Sequence, residues 1–127
     1  SKDKLLEDSL VFNLTDALLQ GNKAAAVREL KQMLDGGAIP LAILGTLSWQ
    51  LRLLLSVKVL KKQGKSVTEI ARILKSHQYP AKKCYQYSDK FTEEELLGLL
   101  ENLLEANYNI VTGRYNPELA LEMAIIA

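Results

Sequence analysis

A polar segment near the end of the chain carries the residues best suited to recognise a ligand. Arg114 and Tyr115 are neighbours there, between Gly113 and the pair Asn116 and Pro117. Glycine accepts the positive φ that ends a helix, while asparagine and proline suit the cap and first turn of the next helix. The sequence therefore predicts a rigid corner between two helices. An aromatic ring there can stack on an unpaired base while the guanidinium contacts phosphate, unless Tyr115 packs back on the neighbouring helix.

Tyr79, Lys82 and Lys83 form a second group of residues that could contact a ligand of the same kind. They lie in residues 61–90, which contain eight basic and two acidic residues and carry a net charge of +6. Residues 91–127 contain one basic and seven acidic residues, for a net charge of −6. One region can attract an acidic partner that the other repels. The alternative is two solvated faces that partly neutralise each other.

Residues 64–90 also fit the pattern of a helix-turn-helix. Ser66 and Glu69 form a capping-box pattern at the start of a short helix, and a turn and a basic segment follow. The pattern favours either a DNA-binding regulator that uses this region or a purely structural pair of helices. The residues alone leave both interpretations open.

The sequence gives little support for nucleotide binding, metal binding or acid–base catalysis. Residues 64–66 read Gly-Lys-Ser, but a phosphate-binding loop needs a glycine where Val59 stands. His77 and Cys84 are the only histidine and cysteine, which is too few for a zinc site of nitrogen and sulfur ligands, so we expect His77 to be a polar turn residue and Cys84 a small core residue. The three glutamates at 93–95 suit the first turn of a helix better than acid–base catalysis. The sequence predicts no catalytic residue, no metal and no cofactor.

Apolar residues recur at helical spacing almost everywhere, and no stretch alternates as a strand does. The 127 residues suit one domain, so we expect an all-α fold, a single compact bundle of about seven helices. We expect Leu10, Leu14 and Leu18 to share the buried face of the first helix, and Val27 to lie on that of the second. Breaks or starts are predicted at Gly21, Asn22, Gly36, Pro40, Ser66, Tyr79, Thr92 and Pro117.

The third helix, opened by Pro40, is predicted to be central because leucines lie on more than one of its sides. Apolar surface of this helix that the bundle leaves uncovered would mark a protein interface. The alternative is that the helix is completely buried. No apolar run is expected to reach the roughly 20 residues of a membrane-spanning helix. A single cysteine suits a reducing compartment, which favours the cytoplasm.

Four stretches, taken in order, resemble one family. The resemblance is to the C-terminal domain of the delta subunit of the bacterial DNA polymerase III clamp loader. It extends over about residues 10 to 127 and rests on the order of the stretches more than on any single motif. The stretches are residues 14–21, 50–58, 81–83 and 112–122.

This resemblance implies a helical collar domain at residues 10–127, with residues 1–9 as the end of a connection from an upstream lid domain. Because the chain begins at Ser1 without a methionine, we expect an excised domain. The implied partners are the motor (gamma/tau) and delta-prime subunits through their collar domains, and primer–template DNA in the assembled loader. The sliding clamp would be bound only through an N-terminal domain. The complete protein would belong to the DNA polymerase III holoenzyme. For this chain itself we expect no enzymatic activity and no membrane contact.

Overall fold

The computed structural model describes the backbone of residues 2–75 and 78–127, and the side chains of residues 10–75 and 82–127. That part of the chain contains α-helices and one 3₁₀ turn, without strands, so the all-α prediction is confirmed. The predicted His77 turn lies outside the described residues. The helices are α1 (Lys2–Leu19), α2 (Lys23–Asp35), α3 (Pro40–Lys62), α4 (Val67–Leu74), α5 (Gln78–Tyr87), α6 (Glu93–Val111) and α7 (Pro117–Ile126), with the 3₁₀ turn at Ser88–Lys90 between α5 and α6.

Local hydrogen bonds account for where most of these helices begin. The side chains of Asn22, Ser66, Thr92 and Asn116 each accept a hydrogen bond from an amide in the following first turn. Ser66 and Thr92 do so within complete capping boxes, in which a glutamate three residues later bonds back to the cap amide. These bonds satisfy donors that a helix start otherwise leaves free. The predicted starts of α2, α4, α6 and α7 are confirmed.

Helix α3 occupies the centre of the bundle, as predicted, and packs against α1, α4, α5, α6 and α7. One polar pair crosses this core: the Thr15 hydroxyl donates to the side-chain oxygen of Gln50 at 2.6 Å, and both residues are buried. The hydrogen bond offsets the cost of burying these polar groups beside leucine. The buried residues of α3 are Ile43, Leu44, Leu47, Gln50, Leu51, Leu54 and Val57.

The predicted buried faces of α1 and α2 need correction. In α1 the buried face is centred on Val11, Leu14 and Thr15, whereas Leu10 is exposed and Leu18 only partly buried. Spacing alone shows which residues share a side of a helix, whereas the packing of α1 against α2 and α3 decides which of them are covered. Val27 in α2 is 37% exposed because it lies at the edge of the face that contacts α1.

By length and composition alone, α3 could cross a membrane. We expected no apolar run long enough for a membrane-spanning helix, and that expectation is wrong. The leucines of α3 outweigh its few charged residues over a window of 18 residues. The core helix of a bundle passes the same test. Leu47, Leu51 and Leu54 are buried against the neighbouring helices of this domain, and that packing accounts for the composition of α3.

The burial of α3 leads to a first prediction. Leu54 is 1% exposed, so Leu54→Ala should lower the free energy of unfolding by about 2–5 kcal/mol through lost packing and a cavity. Leu104 is 69% exposed, and Leu104→Ala should change it by less than about 0.5 kcal/mol. Urea titrations of both variants and the unsubstituted chain measure the difference. Equal losses would show that Leu54 is not a core position.

Candidate interaction surfaces

The turn between α6 and α7 holds its backbone by local hydrogen bonds. Gly113 has φ +72°, in the region that favours glycine. The backbone amides of Arg114 and Tyr115 both donate to the carbonyl of Asn109, at 3.0 and 3.3 Å. Asn116 then caps α7 by accepting from the Leu119 amide at 2.8 Å. The predicted corner is confirmed, and its backbone position is tied to both helices.

At this turn the two candidate side chains lie side by side. The guanidinium carbon of Arg114 is 5.6 Å from the centre of the Tyr115 ring, within the range of a cation–π contact. Arg114 is exposed, and Tyr115 is partly buried. This partial burial fits both interpretations of Tyr115, packing against the neighbouring helix and contact with a ligand. Only the accessible part is free to meet a ligand.

The second candidate group is not assembled into a free patch. Lys82 is exposed, but the ammonium of Lys83 lies 3.9 Å from the centre of the Phe12 ring on α1. This cation–π contact fastens α5 to α1. The side chain of Tyr79 lies outside the described residues. Among the described side chains of the group, Lys82 is therefore the one that is exposed and makes no contact with an aromatic ring.

Lysines in and next to the +6 region make contacts inside the domain. Lys61 lies 2.7 Å from the carboxylate of Asp89 and 4.1 Å from the centre of the Tyr85 ring. The hydrogen bond from Lys61 holds the pKa of Asp89 below its ordinary value. Lys58 donates to the Ser88 carbonyl at 3.0 Å. These contacts tie α3 to α5 and the 3₁₀ turn, so part of the positive charge stabilises the fold.

The α4–α5 pair is attached to the rest of the bundle mainly through α5, which packs against α3 more extensively than α4 does. Cys84 on α5 is buried, as predicted for a small core residue, and burial raises the pKa of its thiol to about 11. A thiol in this state is a poor nucleophile at neutral pH. With Lys83 and Cys84 both engaged by the fold, α5 has the contacts of a structural helix.

Helix α3 keeps an apolar face exposed outside the core. We call this face the α3 stripe; it consists of Leu41, Gly45 and Trp49, which share one side of the helix, and the exposed Arg52 separates it from Val59. Trp49 is 45% exposed. A Cβ at Gly45 would meet nothing within 4 Å, so the stripe has an open notch between Leu41 and Trp49. The alternative of complete burial of α3 is wrong.

Helix α6 has a similar face, which we call the α6 stripe: Leu97, Leu104, Tyr108 and Val111. Their spacing of seven, four and three residues places them on one side of the helix. Leu103 and Leu96, next to two of them in sequence, are buried. This exposed face was not predicted from the sequence. Adjacent leucine pairs at 96–97 and 103–104 were the available signal, because neighbouring residues on a helix point about 100° apart.

Small helical domains that expose apolar stripes on two long helices are typical of modules that bind other proteins. Comparison with known proteins identifies the family of this chain. The family model described as "DNA polymerase III delta subunit, C-terminal domain" matches residues 8–127. The chain therefore belongs to this family, the C-terminal domains of DNA polymerase III delta subunits, and the resemblance inferred from the sequence is confirmed.

Two individual proteins agree with this assignment. The chain is 28% identical over 116 residues to DNA polymerase III subunit delta of Bacillus subtilis (strain 168), a match covering 91% of this chain and 33% of that protein. The fold is similar to that of the solved Bacillus subtilis DNA clamp loader delta protein, with a TM-score of 0.87 and 27% identity. That match covers 94% of this chain and 35% of the other. The chain spans about a third of the length of these relatives.

The geometry of α6 and its terminal turn predicts opposite effects for two glycine substitutions. Gly113→Ala should lower the free energy of unfolding by about 1–2 kcal/mol, because alanine is strained at positive φ. Gly98 lies inside α6, where a Cβ would meet nothing within 4 Å, so Gly98→Ala should raise it by about 0.5–1 kcal/mol. Urea unfolding followed by circular dichroism measures both. Stabilisation by Gly113→Ala would contradict the turn geometry.

Proposed function

We propose that this chain is the oligomerisation (collar) domain of a clamp-loader delta subunit. In this role it supports assembly of the five-subunit loader that places the sliding clamp on primed DNA. Its partners are the motor (gamma/tau) and delta-prime subunits, through their own collar domains. The chain contributes binding surfaces rather than catalysis, within a DNA polymerase III holoenzyme of the bacterial cytoplasm. Contact with the sliding clamp belongs to the rest of the delta subunit, beyond the third that this chain spans.

The observation that carries this proposal is the exposed α3 stripe. A subunit in a ring must present apolar surface to neighbours, and aromatic residues are enriched at the centres of such interfaces. Trp49 supplies a large side chain of this kind, and the notch at Gly45 leaves room for a side chain of a packed neighbour. The helix that forms the core of the domain would in this way also form part of the ring.

The same proposal assigns Arg114 and Tyr115 to the end of the primer–template. Support comes from their adjacency at a turn whose backbone is hydrogen-bonded to Asn109, which gives them a defined position. Lys82, with Tyr79 and Lys83, is the second candidate contact, although Lys83 would have to leave the Phe12 ring to reach phosphate. A few such contacts give weak, salt-sensitive affinity without sequence preference.

Assembly is tested with the collar domains of the motor and delta-prime subunits of the same organism. Mixed at micromolar concentration, they should elute together with this chain from a sizing column. Trp49→Asp should weaken association at least about tenfold, because it replaces an interface aromatic by a charge. Ile73→Asp is the matched control, since Ile73 is 50% exposed on α4, away from the stripe.

Separate elution of the unsubstituted chain would count against the assembly proposal. Equal weakening by Trp49→Asp and Ile73→Asp would leave assembly in place but remove the α3 stripe from the interface. Unfolding of either variant is checked by circular dichroism before the comparison is made.

DNA contact is tested in a loader assembled with the complete delta subunit. Tyr115→Ala should weaken primer–template binding by about 1–3 kcal/mol, the value of a stacked base, and leave assembly intact. Tyr115→Phe keeps the ring and should retain the affinity. Unchanged affinity in Tyr115→Ala would remove Tyr115 from the DNA contacts, and lost assembly would assign it to packing. Sequence-specific retention of duplex DNA by this chain alone would instead favour the regulator interpretation of residues 64–90.

A further inference from the structure

The α6 stripe is exposed without a role in the fold. It lies opposite the buried face of α6, which contains Leu96, Leu103 and Ala106. From Leu97 to Val111 it extends about 21 Å along the helix, at 1.5 Å per residue. Helix propensity does not explain it either, because valine and tyrosine are poorer helix formers than lysine or glutamine. A continuous apolar face of this length matches the contact surface of one amphipathic helix.

One edge of the α6 stripe is acidic. Glu94, Glu101 and Glu105 are all exposed, and their spacing of seven and four residues places them along the same side of α6. Within the part of the chain that the structure describes, none of the three is within 4.0 Å of a basic side chain. On the side away from the stripe, Glu94 and Glu101 line an open groove of about 420 Å³, whose other wall is formed by Leu18 and Leu19 of α1. The groove has room for side chains of another molecule.

We propose that the α6 stripe binds an amphipathic helix of another protein whose apolar face is flanked by lysine or arginine. This proposal rests on the proposed assembly function and gives the chemistry of the partner at one of its surfaces. The apolar face supplies the affinity, since burial of exposed leucine and tyrosine side chains is favourable. The carboxylate row supplies selection and orientation, because a basic flank is attracted along that edge and an acidic one is repelled.

A second copy of this chain is a poorer occupant. Its own basic region would have to face the carboxylate row, and several of those lysines already have partners inside the domain. Lys61 pairs with Asp89, Lys62 with Glu93, and Lys83 lies against Phe12. Pairing between copies would first have to break these contacts. The charge pattern thus favours a different, basic protein.

The proposal is tested with two synthetic helical peptides of about 21 residues. Both carry leucine on one face; the polar face of one carries lysine, and that of the other glutamate. Fluorescence anisotropy at low salt should show at least about tenfold tighter binding of the lysine peptide. Leu104→Asp should weaken that binding about tenfold or more, as expected from the loss of one buried leucine. Leu104 is largely exposed, so the variant should fold, and Tyr108→Ser is the second variant if it does not.

Charge at the edge is tested with two reversals that change the net charge equally. Glu105→Lys should weaken binding of the lysine peptide several-fold, and the effect should shrink at high salt. Glu122→Lys is the matched control, because Glu122 is exposed on α7 and outside the carboxylate row. Equal binding of both peptides, no effect of Leu104→Asp, or equal effects of the two reversals would each overturn the proposal.

Failure of this proposal is distinguishable from failure of the assembly function. Co-elution with the motor and delta-prime collar domains that is unaffected by Leu104→Asp and Glu105→Lys would overturn the α6 site and leave the assembly function standing. Peptide binding that follows the α6 variants, without co-elution, would support the site while the assembly function fails. Sedimentation equilibrium that shows a dimer abolished by Leu104→Asp would assign the stripe to a second copy and overturn the proposal.

Discussion

The burial of one face of α3 is the constraint on which the rest of this domain depends. Every other helix except α2 packs directly against α3, and α2 reaches the core through α1 and α7. Leucine and isoleucine supply the hydrophobic part of this packing. The buried hydrogen bond between Thr15 and Gln50 adds a directional requirement, because a shift of α1 along α3 would break this bond between the two helices.

A long helix can be covered on only part of its circumference by a bundle of this size. The neighbours of α3 cover the side that contains Leu47, Leu51 and Leu54, and the side that contains Trp49 faces outward. The same holds for α6, where Leu103 is buried and Leu104 is not. The core and the candidate binding surfaces are therefore opposite faces of the same two helices. Rigid packing of one face fixes the geometry of the other.

Helix ends were the features that the sequence predicted best, because they depend on residues within one turn. Ser66 and Thr92 cap their helices as their local patterns require, and Gly113 ends α6 at positive φ. Faces were predicted less well, as Leu10 and Val27 show, because the neighbours decide which side of a helix is covered. The contact between Lys83 and Phe12 joins distant parts of the chain, and no local pattern encodes it. The adjacent leucines at 96–97 and 103–104 signalled the α6 stripe, but the neighbouring helices decide which leucine of each pair is covered.

The net charge of +1 includes a basic and an acidic region of opposite charge, and the two regions have different roles. Basic residues of α3 and α5 make ion pairs, backbone hydrogen bonds and ring contacts inside the domain, so several of them already have partners there. The exposed glutamates at 94, 101 and 105 lie beside an apolar stripe that the fold does not cover. Charge that holds a fold together is paired at short distance, whereas charge that selects a partner must remain accessible. By that criterion the acidic region of this chain offers a more selective protein-binding surface than the basic region does.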